Sequence, residues 1–312
     1  MRAVVLGDDH VPVLATVPAP EPRQGEVLVG VRAVGLCGSD VEKLAPGGAV
    51  AGAVLGHEVA GEVLDGALPR GLRVAVAHHV GCGACARCLA GHEPTCPAFA
   101  ASNLRPGGFA ERLVASAAHV AATVLPLPDE VPDESGALVE PLACVLRGAE
   151  SLPPGRGVVV GCGMVGQLFL RVLGARGDAL LVLEPAPDRL FAALEHAERP
   201  ATAGDEVDYA VVTAPAGLGD ALALLRPGGT CLVFAAEPAP RPVDLDRVYR
   251  MELSLRGSRS STASHLRAAL DAIAKGRVRV DDLVTDILPL DRFAEGVARY
   301  RAGDALKVVF RP

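Results

Sequence analysis

The chain has no tryptophan, and only three tyrosines and seven phenylalanines in 312 residues. That scarcity argues against the aromatic platforms on which single-stranded nucleic acid stacks. Lysine is confined to Lys43, Lys275 and Lys307, while Arg, Ala and Gly abound. This composition is that expected of a GC-rich bacterial genome. Positive charge is in deficit: the net charge of −7 leaves no electrostatic footprint for nucleic acid. No apolar run reaches the roughly 18–20 residues of a membrane span, so no membrane partner is expected. The apolar start at Met1 breaks off at Gly7-Asp8-Asp9, without the pattern of a signal peptide. Eight cysteines and no export signal point to a reducing, cytoplasmic compartment and to metal ligation, not disulfides.

What is present is organised around Cys37-Gly38-Ser39-Asp40 and, a short loop later, Gly56-His57-Glu58. A thiolate, an imidazole and a carboxylate suit Zn²⁺, not Mg²⁺ or Ca²⁺. Fewer than four protein ligands leave a place for water or substrate, which marks a catalytic zinc. Asp40 is placed to hold the outer nitrogen of His57, as carboxylates behind a metal-bound His usually do.

Cys82, Cys85, Cys88 and Cys96 follow, spaced x2, x2, x7 in a Gly-rich loop. Four thiolates so close form a closed zinc site of structural type. The alternative is an iron–sulfur site, whose bacterial run ends in an x3 gap and usually recurs. His92 lies inside the loop as a competing ligand; His78 and His79 read as loop or core histidines.

The region around these ligands alternates with period two, in Glu26–Val34, Val59–Leu64 and Leu72–Val76, which predicts an antiparallel, barrel-like β domain. Ala137–Cys144 reads as a helix start, with Glu140 alone in an apolar stretch. A carboxylate there needs a partner or a metal, which makes Glu140 a site candidate beside the alternative of a helix-terminal acid.

At Gly157 the pattern changes. The apolar strand Val158-Val159-Val160 runs into Gly161-Cys162-Gly163-Met164-Val165-Gly166 and a helix. A second strand ends at Glu184. A strand before, a helix after and an acid at this distance form a dinucleotide-binding turn. Its glycines let backbone, including Met164 and Val165, approach a pyrophosphate at a helix N-terminus. Glu184 accepts from ribose hydroxyls and repels a 2′-phosphate, which points to NAD. Further βα units up to Leu253–Gly257 predict a doubly wound parallel sheet, so the chain is α/β with about two domains. After Ser258 one amphipathic helix is expected, His265–Lys275, and a strand at Leu306–Phe310 is expected to rejoin the first domain.

Taken in order, these motifs and Glu140-Pro141-Leu142-Ala143 resemble the zinc-dependent medium-chain alcohol dehydrogenases over essentially the whole chain. The resemblance implies a GroES-like barrel domain at 1–146 and 258–312, interrupted by a Rossmann domain at 147–257. It implies two zinc ions per chain and NAD. Cys37 and His57 match catalytic zinc ligands, and Glu58 and Glu140 match the two acids that supply or exchange the third. Cys82, Cys85, Cys88 and Cys96 match the structural zinc. Gly161, Gly163, Gly166 and Glu184 match the NAD site, and Arg189 a cofactor-adjacent Arg. Ser39 matches a proton relay. Cys-Gly-Ser-Asp-Val is most similar to the polyol (sorbitol) and threonine dehydrogenase branch. Glu42 stands where that branch usually has His, and the segments 40–56 and 184–207 are short. The implied activity is hydride transfer between NAD and a secondary alcohol or its ketone; with those segments short, substrate identity does not transfer from the family, and the GC-rich composition points to a polyol, sugar or cyclitol of specialised metabolism. The alternatives are a threonine-type amino-alcohol dehydrogenase and a zinc-stabilised cofactor-binding protein without turnover. A homodimer or homotetramer is expected.

Overall fold

The computed structural model describes residues 1–236 and 239–312. The chain forms two compact units, Met1–Ala143 with Ser261–Pro312, and Cys144–Ser260. The seams expected from sequence followed residues 146 and 257.

The first unit opens with the antiparallel hairpin β1 (Arg2–Leu6) and β2 (Pro12–Thr16). It continues through β3 (Val27–Gly35), helix α1 (Gly38–Lys43), β4 (Glu58–Gly66), β5 (Arg73–Ala77), β6 (Arg112–Ala115) and β7 (Val124–Pro126). Helix α2 (Val139–Glu150) follows. The second unit holds β8 (Arg156–Val160), α3 (Met164–Arg176), β9 (Ala179–Leu183), α4 (Pro187–Ala193) and β10 (Arg199–Pro200). It ends with β11 (Val207–Val212), α5 (Leu218–Leu224), β12 (Leu225–Val233) and β13 (Ser254–Gly257). The chain then returns to the first unit with α6 (Ala263–Ala274), β14 (Val284–Pro289), α7 (Phe293–Ala302) and β15 (Lys307–Arg311).

The main sheet of the first unit runs β14-β15-β3-β4-β5-β7, with β6 also on β3. Valines of β3 alternate inward because successive side chains of a strand point to opposite faces. They pack with Phe109, Leu113 and Phe310, all fully buried. Each such side chain contributes roughly 1.5–3 kcal/mol by leaving water. Phe109, Phe293 and Phe310 meet ring to ring, the first two edge-on at 4.8 Å. One element differs from expectation: α7 is a second helix after Ser258. Its apolar positions Phe293, Val297 and Tyr300 keep the i, i+4, i+7 spacing, but Glu295, Arg299 and Arg301 between them dilute the pattern.

In the second unit six parallel strands lie in the order β10-β9-β8-β11-β12-β13. In chain order that is 3-2-1-4-5-6, the doubly wound arrangement whose ligands sit at the strands' carboxyl ends, at the switch point. Val158, Val159 and Val160 are buried, as a central strand covered on both faces requires. The short segment after Glu184 still holds α4, seven residues started by Pro187. Proline at a first helical turn costs nothing, because that N–H has no helical partner.

Candidate active site and metal centres

The four cysteines of the Gly-rich loop converge. Their sulfurs lie within 4.8 Å of one another, with Cys85–Cys88 at 3.6 Å, Cys82–Cys96 at 3.6 Å and Cys82–Cys88 at 3.9 Å. A Zn–S bond of about 2.3 Å in a tetrahedron demands sulfur–sulfur edges of about 3.8 Å. The cluster has that size, and all four cysteines are free. Backbone N–H donors, from Cys82 and Phe99 first, pull Cys96 down to about 6. Burial pushes Cys88 up to about 12. Cys88 and Cys96 are buried, Cys85 is half-buried and Cys82 exposed. His92 is exposed and outside the four.

The second cluster joins two segments. Cys37 is the N-cap of α1, and Gly56-His57 leads into β4. The ligand atoms of Cys37, His57 and Glu58 lie within 4.8 Å of one another. Asp40, one per cent exposed, ties the segments together. Its Oδ2 accepts from the Cys37 N–H at 3.2 Å. Its Oδ1 accepts from the Gly56 N–H and meets His57 Nδ1, each at 3.2 Å. With Nδ1 engaged, Nε2 is the nitrogen left for a metal. Burial alone would lower the His57 pKa, but the charges of Asp40 and Cys37 outweigh it and hold the ring well above the ordinary value. Burial likewise pushes Asp40 up, and His57 with two backbone N–H groups brings it below the usual range.

Ser39 donates to Cys37 Sγ at 3.4 Å, so its hydroxyl lies at the thiolate. Glu42 is an exposed residue of α1. Glu140 stands in the first turn of α2 and lines a small cavity with Val59, Thr123 and Leu266. Glu58 is brought to Cys37 and His57.

Three residues near this cluster were not read from sequence, and a fourth, His78, was read only as a loop or core histidine. Lys307 pairs with Glu58. Gly35 leaves the space in which they meet. Tyr300 Oη lies against Gly38, and burial, with the charges of Cys37 and Glu58, pushes its phenol up to about 12. The His78 ring is centred 6.2 Å from that of His57, and burial pushes it down to about 2, so it is neutral. A lone Lys in the apolar run Leu306–Phe310 was the one available signal.

In the second unit, the three glycines have distinct steric reasons. Gly161 has φ +87°, and a Cβ there would press on Ala214. A Cβ on Gly163, the N-cap of α3, would meet nothing within 4 Å, so the approach to the helix N-terminus is open. A Cβ on Gly166 would overlap the Gly161 carbonyl, so strand and helix pack at contact. This is the division of roles that a dinucleotide pyrophosphate requires. Met164 and Val165 form the first helical turn. Glu184 accepts from Cys162 N–H at 2.7 Å and Ala186 N–H at 2.9 Å, and Arg189 Nε lies 3.6 Å from it.

Residues 23–129 match the alcohol dehydrogenase GroES-like domain family. The chain is 31% identical to the D-altritol 5-dehydrogenase of Agrobacterium fabrum over 318 residues, covering 93% of each. It is 28% identical to the L-threonine 3-dehydrogenase of Chelativorans sp., covering 94% of this chain and 93% of that one. The alcohol dehydrogenase TADH from Thermus sp. ATN1 shares the fold, with a TM-score of 0.87 at 24% identity, over 100% of this chain and 99% of that one. Fold and site thus define an oxidoreductase acting on CH–OH groups. The chain belongs to the zinc-dependent medium-chain alcohol dehydrogenase family. Among the described residues no helix is long and apolar enough to cross a membrane.

Proposed function

We propose that the chain oxidises a secondary hydroxyl of a polyol, sugar or cyclitol with NAD, or reduces the corresponding ketone. The convergence of Cys37, His57 and Glu58, with Asp40 on the far nitrogen of His57, carries this reading. Cys37, His57 and Glu58 would hold a catalytic zinc, and Cys82, Cys85, Cys88 and Cys96 a structural one, two per chain. Zinc there supplies Lewis acidity toward the substrate oxygen, and NAD supplies the hydride acceptor. Asp40 fixes the tautomer and angle of His57. Ser39, beside the Cys37 sulfur, accepts the substrate hydroxyl proton and passes it outward, with Glu42 as the outer base. Gly161, Gly163, Met164, Val165 and Gly166 cradle the pyrophosphate. Glu184 and Arg189 face the adenosine ribose, and the carboxylate selects NAD over NADP.

The relatives named for L-threonine and for D-altritol make both substrate classes part of the test. NAD reduction is screened with polyols, cyclitols, amino sugars and L-threonine. Turnover with a polyol or cyclitol supports the reading. Turnover with L-threonine alone assigns the amino-alcohol activity instead. No turnover with any of them leaves a zinc-stabilised cofactor-binding protein. Assembly as a homodimer or homotetramer is inferred from the exposed edge strand β13, with Leu255 and the nearby Tyr249 exposed, and light scattering measures it.

A further inference from the structure

Lys307 is two per cent exposed and Glu58 one per cent. A lysine is almost never so deeply buried without a partner. β15 carries Lys307 and β4 begins with Glu58, and these strands flank β3 on its two sides. Gly35 of β3 pairs with Glu58 on one side and with Val309 on the other. The two side chains meet over that glycine, where Lys307 Nζ and Glu58 Oε2 form an ion pair. A Cβ at position 35 would overlap Oε2 and come within 2.8 Å of Lys307 Cε. Nζ also donates to the Leu36 carbonyl at 3.0 Å, which anchors the ammonium one residue before Cys37.

The charges explain why a lysine belongs there. Cys37 and Glu58 as ligands and Asp40 behind His57 are three anionic groups in one place, the two carboxylates buried and the thiolate half-buried. A divalent ion leaves one of them uncompensated, and Lys307 supplies the remaining charge. Buried charges left unpaired are strongly destabilising. The position matters as much as the charge. A carboxylate can offer a metal one oxygen or two. With Cys37 and His57, a two-oxygen Glu58 would fill four positions, so that a water or substrate oxygen could bind only as a fifth ligand at a centre that otherwise takes it as the fourth.

We propose that Lys307 is a positioning residue of this centre: by holding one oxygen of Glu58 across Gly35, it limits that acid to a single ligand oxygen and keeps a coordination position free for the substrate oxygen. The inference rests on the reading of Cys37, His57 and Glu58 as a zinc site. Gly35 is part of the device, because any side chain there would part the pair.

The test uses the full-length protein with cobalt(II) exchanged into the labile site, the Cys₄ site keeping its zinc. The native protein should show the intense visible d–d band of four-coordinate cobalt. Lys307→Met should weaken that band as Glu58 takes a second bond to the ion, and lower kcat about tenfold, or 1.4 kcal/mol of barrier. Lys307→Arg should restore both. Lys307→Met combined with Glu58→Gln should return to the four-coordinate band, because an amide does not chelate as a carboxylate does. A folded Lys307→Met protein with a native band overturns the proposal. Should that variant not fold, Lys307→Gln is read against the same outcomes. A native protein that takes no cobalt at Cys37 overturns the zinc reading itself, and this inference with it.

Discussion

The first unit contains two ligand clusters made in opposite ways. The Cys₄ cluster takes four identical donors from one short loop, Cys82 to Cys96. The Cys37–His57–Glu58 cluster takes three different donors from two segments. Asp40 clamps the segments together, and Lys307 on the last strand holds the acid. Four soft ligands close a tetrahedron; three mixed ones leave a vertex. Closure gives stability and openness gives chemistry, and the surroundings follow suit. The closed cluster sits in its own loop, packed on Phe99. The open one is braced by a buried network, because an incomplete coordination shell does not fix its own geometry.

If this contrast is right, damage to the closed cluster is the larger effect. Cys88→Ser should lose the structural zinc and with it the fold of the first unit. Metal-binding free energy at such a site is folding free energy, and a domain has only about 5–15 kcal/mol in all. Circular dichroism and elemental analysis check it. The native chain should hold two zinc ions. A single zinc, an iron signal, or a stably folded Cys88→Ser protein would break the comparison.

Damage to the open cluster should spare the fold. His57→Ala should abolish turnover, keep one zinc and leave the thermal transition of the first unit within a few degrees of native, since a 1 kcal/mol loss moves Tm by about 2–4 °C at this size. Chelators should do the same, removing activity and one zinc first. Acid should help them. His57 is held well above the ordinary imidazole value by Asp40 and Cys37, and a protonated ring cannot bind metal. Affinity at this centre therefore falls as pH drops through that raised value. Unfolding in step with the first zinc lost would remove the distinction between the clusters.

Ser39 probes the chemistry within the open cluster. Its hydroxyl donates to Cys37 Sγ. Ser39→Ala should lower kcat by about 10²-fold, the usual scale for proton-transfer help, at unchanged zinc content and NAD affinity. Ser39→Thr should keep activity, and Glu42→Gln should shift the pH–rate profile. Near-normal turnover by Ser39→Ala would leave Ser39 a turn residue.

The contrast also explains what the sequence revealed. The Cys₄ loop and the glycine turn are local, and their spacing alone carries their geometry. The alternation of β3, β4 and β5 is local too. The place of the acid beside Cys37 and His57 was not legible. Glu58 and Glu140 both fitted the sequence, and the register of β3 with β4 sets Glu58 beside Gly35, two residues before Cys37. Lys307, Gly35 and Tyr300 escaped for the same reason: each acts across strands or elements far apart in the chain. Helix α7 was missed because charged residues interrupt its apolar stripe.

The dinucleotide turn lies between these extremes, being a contiguous glycine motif completed by one acid from the next strand. Glu184 serves two ends there. Its oxygens accept from Cys162 and Ala186 N–H groups, which brace the turn against the end of β9. Each oxygen keeps a lone pair for a ribose hydroxyl. A 2′-phosphate at the same place would meet a carboxylate that the fold does not let swing away. Arg189, 3.6 Å from Glu184, works in the opposite sense, since a guanidinium favours phosphate. The fixed acid should prevail. The native protein should show the higher kcat/KM with NAD. Glu184→Gln should lower kcat/KM for NAD by about tenfold, in line with the roughly 1.5–3 kcal/mol of a hydrogen bond to a charged group. It should also narrow the ratio between the two cofactors, while Arg189→Ala should widen it by penalising NADP alone. A native protein that prefers NADP would reverse the roles of the two side chains, with Arg189 the reader of the cofactor and Glu184 only the brace of the turn.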